Sequence, residues 1–489
     1  MLKSTKLYLI GCIMGTLLMS ACSDTLNPEI YSQTSPDNLF NTVQGVESVL
    51  FGAYALAAEV SGNDAAELLG VEESMGDIGY VESTWVVNFQ EYILDGAGSP
   101  RYSTLWNLPY QAIRNANIIL ENVNDADIGQ DSKILIEAEA KFIRAISYYK
   151  LYMRFGEVPL RHSTTQELEI PKASEEDIIK FIETELLASL QGLPNPGEEP
   201  SYGRAHKGAA LGFLMKLKLN TKEWQEAADY AQKIMDLGVY NLFPDYFSLF
   251  FVANERNEEL IWVRPVRADL GRSAANSYMN FAYPPGFSHH PRTGLDWPEG
   301  ARNFDDSNFM VRDSWYDTFD ENDNRKDLIV TEYINLNGEL INLANNPNNG
   351  RRPFKYWPDN DIAGPAYGND IPVIRYADVL LSRAEALNEI QGPNQESINL
   401  INQVRKRANA PEISLSDFGS TAALRDHILN ERGWEFWYEG QRRHDLIRHG
   451  KLIEKARERG WPAQPHHIRY PIPQFALDAN PALEPTEGY

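Results

Sequence analysis

Apolar residues recur at helical spacing in several separate stretches of the chain. The clearest stretch contains Ala138, Phe142, Ala145, Tyr149 and Tyr152. Alternating steps of four and three residues place all five on one helix face. Further stretches with this spacing lie at 210–217, 224–234, 376–390, 398–408 and 424–453. The pattern predicts a mainly all-α fold.

The composition of these stretches refines the prediction. Small alanines stand beside large aromatic residues, and Gly238 and the Gly392-Pro393 pair punctuate the chain between helices. This arrangement is typical of tetratricopeptide-like helical pairs, although the complete repeat signature is not met. We therefore expect a scaffold of tetratricopeptide-like pairs.

A loop-rich segment interrupts the helical pattern at about 240–372. Proline, glycine and asparagine recur there at short intervals, as in 284–286 and 345–350, which indicates turn after turn. The segment also carries an unusual number of aromatic residues for loops. It should form a variable region inserted into the helical scaffold.

The first residues have the features of a lipoprotein signal peptide. Lys3 and Lys6 precede an apolar run at 7–19, which is shorter than the roughly 20 residues that a membrane helix needs. The run ends in Met19-Ser20-Ala21-Cys22, which resembles a lipobox although leucine is usual where Met19 stands. The alternative is an ordinary secreted precursor with an incidental cysteine.

Cysteine usage favours the lipid anchor. Cys12 would leave with the signal peptide, so Cys22 would be the one mature thiol, and neither a disulfide nor a cysteine metal cluster could form. The predicted organisation is a signal peptide at 1–21, a polar tether at 22–34 and one domain at 35–489. Acylation of Cys22 would tether the protein to a membrane that it does not span.

The charge balance narrows the range of partners. The formal net charge is −24, with 43% hydrophobic and 23% charged residues, which is an ordinary globular composition. A strongly acidic protein repels phosphate backbones, and no cluster of Lys and Arg offsets this repulsion. We therefore expect no nucleic-acid partner.

The chain lacks the motifs that mark common catalytic and metal sites. There is no G-x-S-x-G, Walker A, G-x-G-x-x-G or H-E-x-x-H motif. The acidic stretch 320–324 departs from a calcium loop at Arg325 and Thr331, so we interpret it as a solvated turn. The pairs at 289–290 and 466–467 are interpreted as surface histidines. No catalytic residue, metal or cofactor is predicted.

A dense block of charges at 431–448 allows two interpretations. Its members are Glu431, Arg432, Glu435, Glu439, Arg442, Asp445 and Arg448. Two of the carboxylates could form a general acid/base pair of the glycosidase type. The preferred interpretation is a network of ion pairs at helical spacing, because an arginine stands beside each acid.

Several motifs occur together and in order along the chain. They are 138–145 (AEAKFIRA), 155–160 (FGEVPL), 373–389 (VIRYADVLLSRAEALNE), 401–408 (INQVRKRA), the block from Glu431-Arg432 to 448, and 470–473 (YPIP) with 480–483 (NPAL). Together with the lipobox, this set resembles the SusD/RagB family of outer-membrane nutrient-binding lipoproteins.

The resemblance implies both a fold and a function. Members of this family are helical scaffolds that sit as a lid on a SusC-type TonB-dependent transporter. They bind glycans, or peptides in the RagB branch, without performing chemistry. The expected location is the outer membrane, with a lipid anchor and exposure at the cell surface. The motifs are structural, so the resemblance names no ligand contact here.

Glycan binding requires exposed aromatic rings beside polar groups, because a sugar has an apolar C–H face and a rim of hydroxyls. The candidate platform residues are Trp85, Trp106, Tyr283, Trp297, Trp315, Tyr316 and Trp357. Each could instead be a packed core aromatic, and Trp434 and Trp437 are assigned to the core. We expect a neutral glycan ligand. The alternative is a protein-interaction scaffold with a peptide cargo.

Overall fold

Helices dominate the computed structural model, which describes residues 39–489 except 60–63, 83–85, 96–99, 271–275, 302–308, 345–349, 361, 363 and 365. The described part contains sixteen α-helices. In chain order they are α1 Val43–Ala57, α2 Asp64–Met75, α3 Val87–Gln90, α4 Pro100–Asn122, α5 Gln130–Phe155, α6 Glu175–Ser189, α7 Lys207–Asn220, α8 Trp224–Met235, α9 Tyr278–Ala282, α10 Asp313–Tyr316, α11 Tyr376–Gln391, α12 Gln395–Arg407, α13 Thr421–Phe436, α14 Arg442–Arg448, α15 Leu452–Glu458 and α16 Gln474–Ala479.

Short strands connect the segments between helices. They are β1 Gly79–Val81, β2 Leu260–Arg264, β3 Phe287–His290, β4 Leu295–Asp296, β5 Phe309–Val311, β6 Ile329–Val330, β7 Glu332–Asn335, β8 Leu340–Asn342, β9 Arg352–Pro353 and β10 Ile371–Arg375. All pairings are antiparallel: β1 with β5, β2 with β10, β6 with β9, and β4-β3-β7-β8 in one small sheet.

Local sequence explains where the long helices begin and end. Ser174 caps α6 by accepting a hydrogen bond from the Asp177 backbone N–H at 3.1 Å, and acids fill the first turn of this helix. Gly156 ends α5 with a φ of 75°, a left-handed conformation that glycine adopts without strain. The apolar face predicted from 138–152 is buried along α5.

The helices pack as neighbouring pairs, which confirms the prediction of a mainly all-α fold. α4 packs on α5, α5 on α6, α7 on α8, and α11 on α12 and α13. Alanines at the contacts, such as Ala138, Ala145 and Ala231, are fully or almost fully buried and let the helices approach closely. No helix of the described residues combines the length and hydropathy that crossing a bilayer requires.

The charged block at 431–448 lies in the core of this scaffold. Glu435 is fully buried and pairs with Arg375 at 3.0 Å, with Arg325 at 3.3 Å and with Arg407. Burial alone would raise the pKa of Glu435, but the surrounding guanidinium groups hold it below its usual value. The interpretation of the block as an ion-pair network is confirmed.

The spacing of these pairs differs from the expectation. Among the block's charges, Asp445 and Arg448 pair at helical spacing, with 2.8 Å between the charged groups. Most of the others pair with distant elements, as Arg432 does with Asp378 of α11 at 2.8 Å. The network therefore joins helices to each other, where helical periodicity had suggested pairs along one helix.

Glu73 of α2 is a buried carboxyl group whose ionisation should make the free energy of unfolding depend on pH. Burial raises its pKa to about 8. Between pH 4.5 and 8 the folded state therefore binds more protons at this site than the unfolded state does. The free energy of unfolding should fall over this range as pH rises. We expect Glu73→Gln to be more stable than wild type at pH 8 by about 1–3 kcal/mol, as measured by chemical denaturation.

The comparison of the two proteins at pH 5 isolates the effect of Glu73. Other buried groups titrate equally in both proteins, among them Lys150, whose pKa burial lowers to about 7. The stability difference should therefore grow from pH 5 to pH 8. A difference that stays constant would mean that Glu73 titrates normally.

Candidate functional site

Three predicted platform aromatics, Tyr283, Trp297 and Trp357, form a buried cluster. Trp297 is 1% exposed, and its ring centroid lies 4.8 Å from that of Tyr283 and 5.5 Å from that of Trp357. Phe287 and Phe354 pack against the same indole. The expectation that these loop aromatics face solvent is therefore wrong. Burying large rings stabilises a turn-rich segment that has little regular structure of its own.

Trp106 is also buried, with 6% of its surface exposed and its ring edge-on to Phe155 at 5.1 Å. The expectation of an exposed ring is wrong here too. It lines an open cleft of about 430 Å³, the Trp106 cleft, whose wall includes Tyr110 and the exposed Phe475. Trp85 lies outside the described residues.

A second open cleft contains Trp315. It has a volume of about 470 Å³ and is called the Trp315 cleft; its walls come from the segment 312–318, from α13 and α15, and from Asp77. Trp315 itself is 6% exposed and packs edge-on against Phe319 at 4.8 Å, so the expectation of an exposed ring is wrong for this residue as well. The cleft is within the size range of small-molecule sites, roughly 300–1,000 Å³.

The half-buried indole in the Trp315 cleft belongs to Trp434 of α13. Its Nε1 donates a hydrogen bond to Oγ1 of Thr318 at 2.9 Å, and its ring lies 6.2 Å from that of Phe319. The hydrogen bond fixes the orientation of the indole. Trp434 was assigned to the core from the sequence, and the structure corrects this assignment.

Polar groups surround the two indoles of the Trp315 cleft. Ser314, Thr318 and Asn430 are exposed on its walls. The Thr318 hydroxyl already accepts from Trp434 and donates to the carbonyl of Trp315 at 2.6 Å, which leaves Ser314 and Asn430 for a ligand. Such hydroxyl and amide groups can both donate and accept hydrogen bonds. The cleft thus combines aromatic surface with the hydrogen-bonding groups that a polyhydroxylated ligand needs.

Charged groups also line this cleft. The guanidinium of Arg442 binds both carboxylate oxygens of Asp77, at 2.7 and 2.9 Å. Burial would raise the pKa of Asp77, but Arg442 and Arg459 hold it below its usual value. The carboxylate of Asp77 thus interacts with Arg312, Arg442 and Arg459, so the positive charges outnumber the negative one at this wall.

Tyr80 and Tyr316 lie beside the same wall. The Arg312 guanidinium lies 5.5 Å from the ring centroid of Tyr80, and that of Arg351 lies 4.3 Å from the centroid of Tyr316. Both rings are partly exposed. The pairing of β1 with β5, with Tyr80 opposite Met310, joins this early segment to the loop-rich region. Tyr316 is thus the one predicted platform residue that the structure leaves partly exposed among those it describes.

A third open cleft, the Tyr202 cleft, has a volume of about 450 Å³ and contains none of the predicted residues. The Arg256 guanidinium lies 4.5 Å from the ring centroid of Tyr202, and the Tyr202 hydroxyl donates to Asp370 at 2.6 Å. Burial raises the pKa of Asp370 to about 6. The ring and the hydroxyl of Tyr202 therefore each already have a partner within the protein.

Metal ligands do not gather among the described residues, where no group of three or more His, Cys, Asp or Glu side chains could hold an ion. The interpretation of 289–290 as surface histidines and that of 320–324 as a solvated turn both need correction. His290 is 2% exposed and stacks on Trp357, with 6.4 Å between the ring centroids. Asp323 is 1% exposed and pairs with Arg325 at 2.6 Å, so it is not solvated.

Sequence reasoning missed Trp434 and its neighbours on α13. Asp426, Asn430 and Trp434 recur every four residues and line the same cleft. A polar helix face that carries a tryptophan was the available signal. Arg312 and Arg459 offered no comparable signal, because only the fold brings the two residues together.

Two family models match consecutive parts of the chain. The model described as "SusD family" matches residues 244–464, and the model described as "Starch-binding associating with outer membrane" matches residues 26–219. The chain belongs to the SusD family.

Relatives within the SusD family match this chain over most of its length. SusD-like protein P25 of Formosa agariphila is 26% identical, over 95% of each chain. Starch-binding protein SusD of Bacteroides thetaiotaomicron is 24% identical, over 72% of each chain. The solved structure of a laminarin-binding SusD-like protein superposes with a TM-score of 0.78 at 23% identity, covering 91% of this chain and 99% of that one. The structural likeness confirms the SusD fold.

Proposed function

We propose that this protein binds oligosaccharides in the Trp315 cleft, performs no chemistry on them, and delivers them to a SusC-type TonB-dependent transporter in the outer membrane. The observation that carries the proposal is the cleft itself. It holds the half-buried indole of Trp434 together with the exposed hydroxyl of Ser314 and the exposed amide of Asn430.

The chemistry of the cleft suits a sugar. The apolar C–H face of a pyranose ring can stack on the indole of Trp434, while its hydroxyls exchange hydrogen bonds with Ser314 and Asn430. The hydrogen bond from Trp434 to Thr318 holds the indole in place before the ligand arrives, which lowers the entropy cost of binding. Tyr316 and Tyr80, beside the cleft, would extend the aromatic surface along an oligosaccharide.

The known relatives support a glycan ligand. One is named a starch-binding protein and another a laminarin-binding protein. Both are members of the family to which this chain belongs, and neither name describes an enzyme. The same family membership supports the transporter partner and the outer-membrane location.

The absence of catalysis is supported by the state of the core carboxylates. Glu431, Glu435 and Glu439 are each paired with buried cations. A general acid needs a proton to donate at working pH, and the guanidinium groups around Glu435 favour its ionised form. These side chains stabilise the scaffold.

The lipid anchor is part of the proposal, with Cys22 outside the described residues as the acylation site. Cys22→Ala should release the protein from the membrane fraction without unfolding it, because the anchor is covalent and lies before the domain. Membrane fractionation with metabolic palmitate labelling measures this. Wild-type protein that carries no label would contradict the assignment, and protease treatment of intact cells would test exposure at the surface.

Affinity electrophoresis tests the function. The mature protein without its anchor should be retarded in gels that contain at least one polysaccharide from a panel of starch, laminarin, xylan, mannan, pectin and sulfated galactan. Reducing ends should not be released from the retarding polymer. Retardation by no polymer, together with binding to a peptide library, would favour the peptide-scaffold alternative.

A further inference from the structure

Two arginines of the Trp315 cleft, Arg312 and Arg459, interact with Asp77 only at longer range. Neither Arg312 nor Arg459 forms an ion pair with a carboxylate among the described residues, although both line the cleft. Arg442 on the same wall differs, because it binds Asp77 through two hydrogen bonds. The lysines of the cleft pair locally, Lys451 with Glu454 at 3.2 Å and Lys455 with Glu458 at 3.0 Å. The exposed Asp426 also lines the cleft and forms no ion pair with another described residue.

Part of the hydrogen-bonding capacity of these two arginines is unused as well. Within the part of the chain that the structure describes, Nε and Nη2 of Arg312 and Nε and Nη1 of Arg459 have no hydrogen-bond partner. Arg459 donates from Nη2 to the carbonyl of Met75 at 3.0 Å. A buried N–H group without an acceptor is costly and rare in folded proteins. A ligand that brings acceptors would remove that cost.

The electrostatic situation points in the same direction. Burial and the nearby positive charge of Arg459 lower the pKa of Arg312 to about 10, while Asp77 and Tyr80 act in the opposite sense. The guanidinium of Arg312 is therefore held in a position that disfavours its charge. An anion between the two arginines would instead favour the charged form of Arg312. Guanidinium groups bind carboxylate and sulfate oxygens through two parallel hydrogen bonds.

We propose that the glycan bound in the Trp315 cleft carries an anionic group, a uronate carboxylate or a sulfate ester, which Arg312 and Arg459 bind while the sugar ring stacks on Trp434. This inference rests on the proposed function and names its ligand class. It replaces the neutral glycan expected from the sequence. The net charge of −24 acts over distance, where salt screens it beyond about 8 Å, whereas these arginines would touch the ligand.

The test compares acidic and neutral ligands on matched variants. The probes are polygalacturonate and alginate as uronates, a sulfated galactan as the sulfate ester, and laminarin and mannan as neutral glycans, each cast in affinity gels. Arg312→Gln and Arg459→Gln remove one charge each from the cleft. Arg267→Gln is the control, because the Arg267 side chain is 65% exposed and pairs with the exposed Asp269.

Wild type should bind at least one acidic polymer at least tenfold more tightly than the neutral ones. Arg312→Gln and Arg459→Gln should each weaken that binding at least tenfold, and Arg267→Gln should leave it unchanged. Retardation by the uronates or by the sulfated galactan identifies which anion is recognised. Arg312→Lys keeps the charge but loses the planar fork, so it should show an intermediate loss. Thermal melts confirm that each variant is folded.

Two results would overturn the inference while leaving the proposed function intact. One is tight binding of a neutral polymer with none of the acidic ones bound. The other is binding of an acidic polymer that neither glutamine variant weakens. Binding of no polysaccharide at all would instead remove the proposed function, and this inference with it.

Discussion

Arg375→Met should lower the free energy of unfolding by about 3–5 kcal/mol. Arg375 is fully buried and pairs with Glu259, with Glu435 at 3.0 Å and with Glu439 at 2.8 Å. Methionine nearly fills the volume but leaves three buried carboxylates with less positive charge around them. Equilibrium denaturation in urea measures the loss.

The matched control is Arg267→Met. Arg267 and Asp269 form an exposed pair, with side chains 65% and 62% exposed. Pairs of this kind are worth about 0–1 kcal/mol, so this variant should unfold almost as wild type does. If Arg375→Met also unfolds as wild type does, the buried network does not join the helices as the structure indicates.

Trp297→Ala should cost about 3–5 kcal/mol of stability, because it removes a large buried ring and leaves a cavity. The ring is 1% exposed and is surrounded by Tyr283, Phe287, Phe354 and Trp357. The loop-rich region depends on this cluster for its packing. A thermal melt beside a glycan titration separates the effect on stability from any effect on binding.

Phe475→Ala serves as the comparison for Trp297→Ala. Phe475 is 41% exposed on the rim of the Trp106 cleft, so its removal should change the melting temperature little. The burial of Trp297 would be contradicted by a variant that melts as wild type does yet loses glycan affinity. That result would restore the platform expected from the sequence.

Periodicity was sufficient to predict the helical scaffold. The face at 138–152 is a property of one helix, and the steps of three and four residues report it directly. The long helices α5, α7, α8, α11 and α12 follow from such local patterns. Residue order thus predicts which side of a helix is buried without knowledge of its neighbours.

The loop-rich segment was harder to interpret because burial there depends on contacts between distant residues. Turn formers indicate that the chain bends, but they do not indicate whether Trp297 or Trp357 faces inward. The structure brings Trp357 to Trp297, sixty positions earlier in the chain, with 5.5 Å between their ring centroids. An aromatic residue in a turn-rich stretch therefore does not indicate an exposed ring.

The same reason explains the errors at Trp434 and in the ion-pair spacing. Trp434 lies on a helix with buried neighbours, and only the position of the segment 312–318 opposite α13 creates a cleft beside it. Arg375 and Glu435 are far apart in sequence and meet through the fold. Charges at helical spacing along 431–448 suggested partners within the block, whereas most partners lie on other elements.

Calorimetric titration of Trp434→Ala with the glycan that retards the wild type tests whether the ligand binds in the Trp315 cleft. We expect a loss of about 1–3 kcal/mol in binding free energy, the range for a stacked aromatic anchor. Phe475→Ala in the Trp106 cleft and Tyr202→Phe in the Tyr202 cleft should bind as wild type does. Wild-type affinity in folded Trp434→Ala, with a loss in either of the other two variants, would contradict the placement of the ligand in the Trp315 cleft.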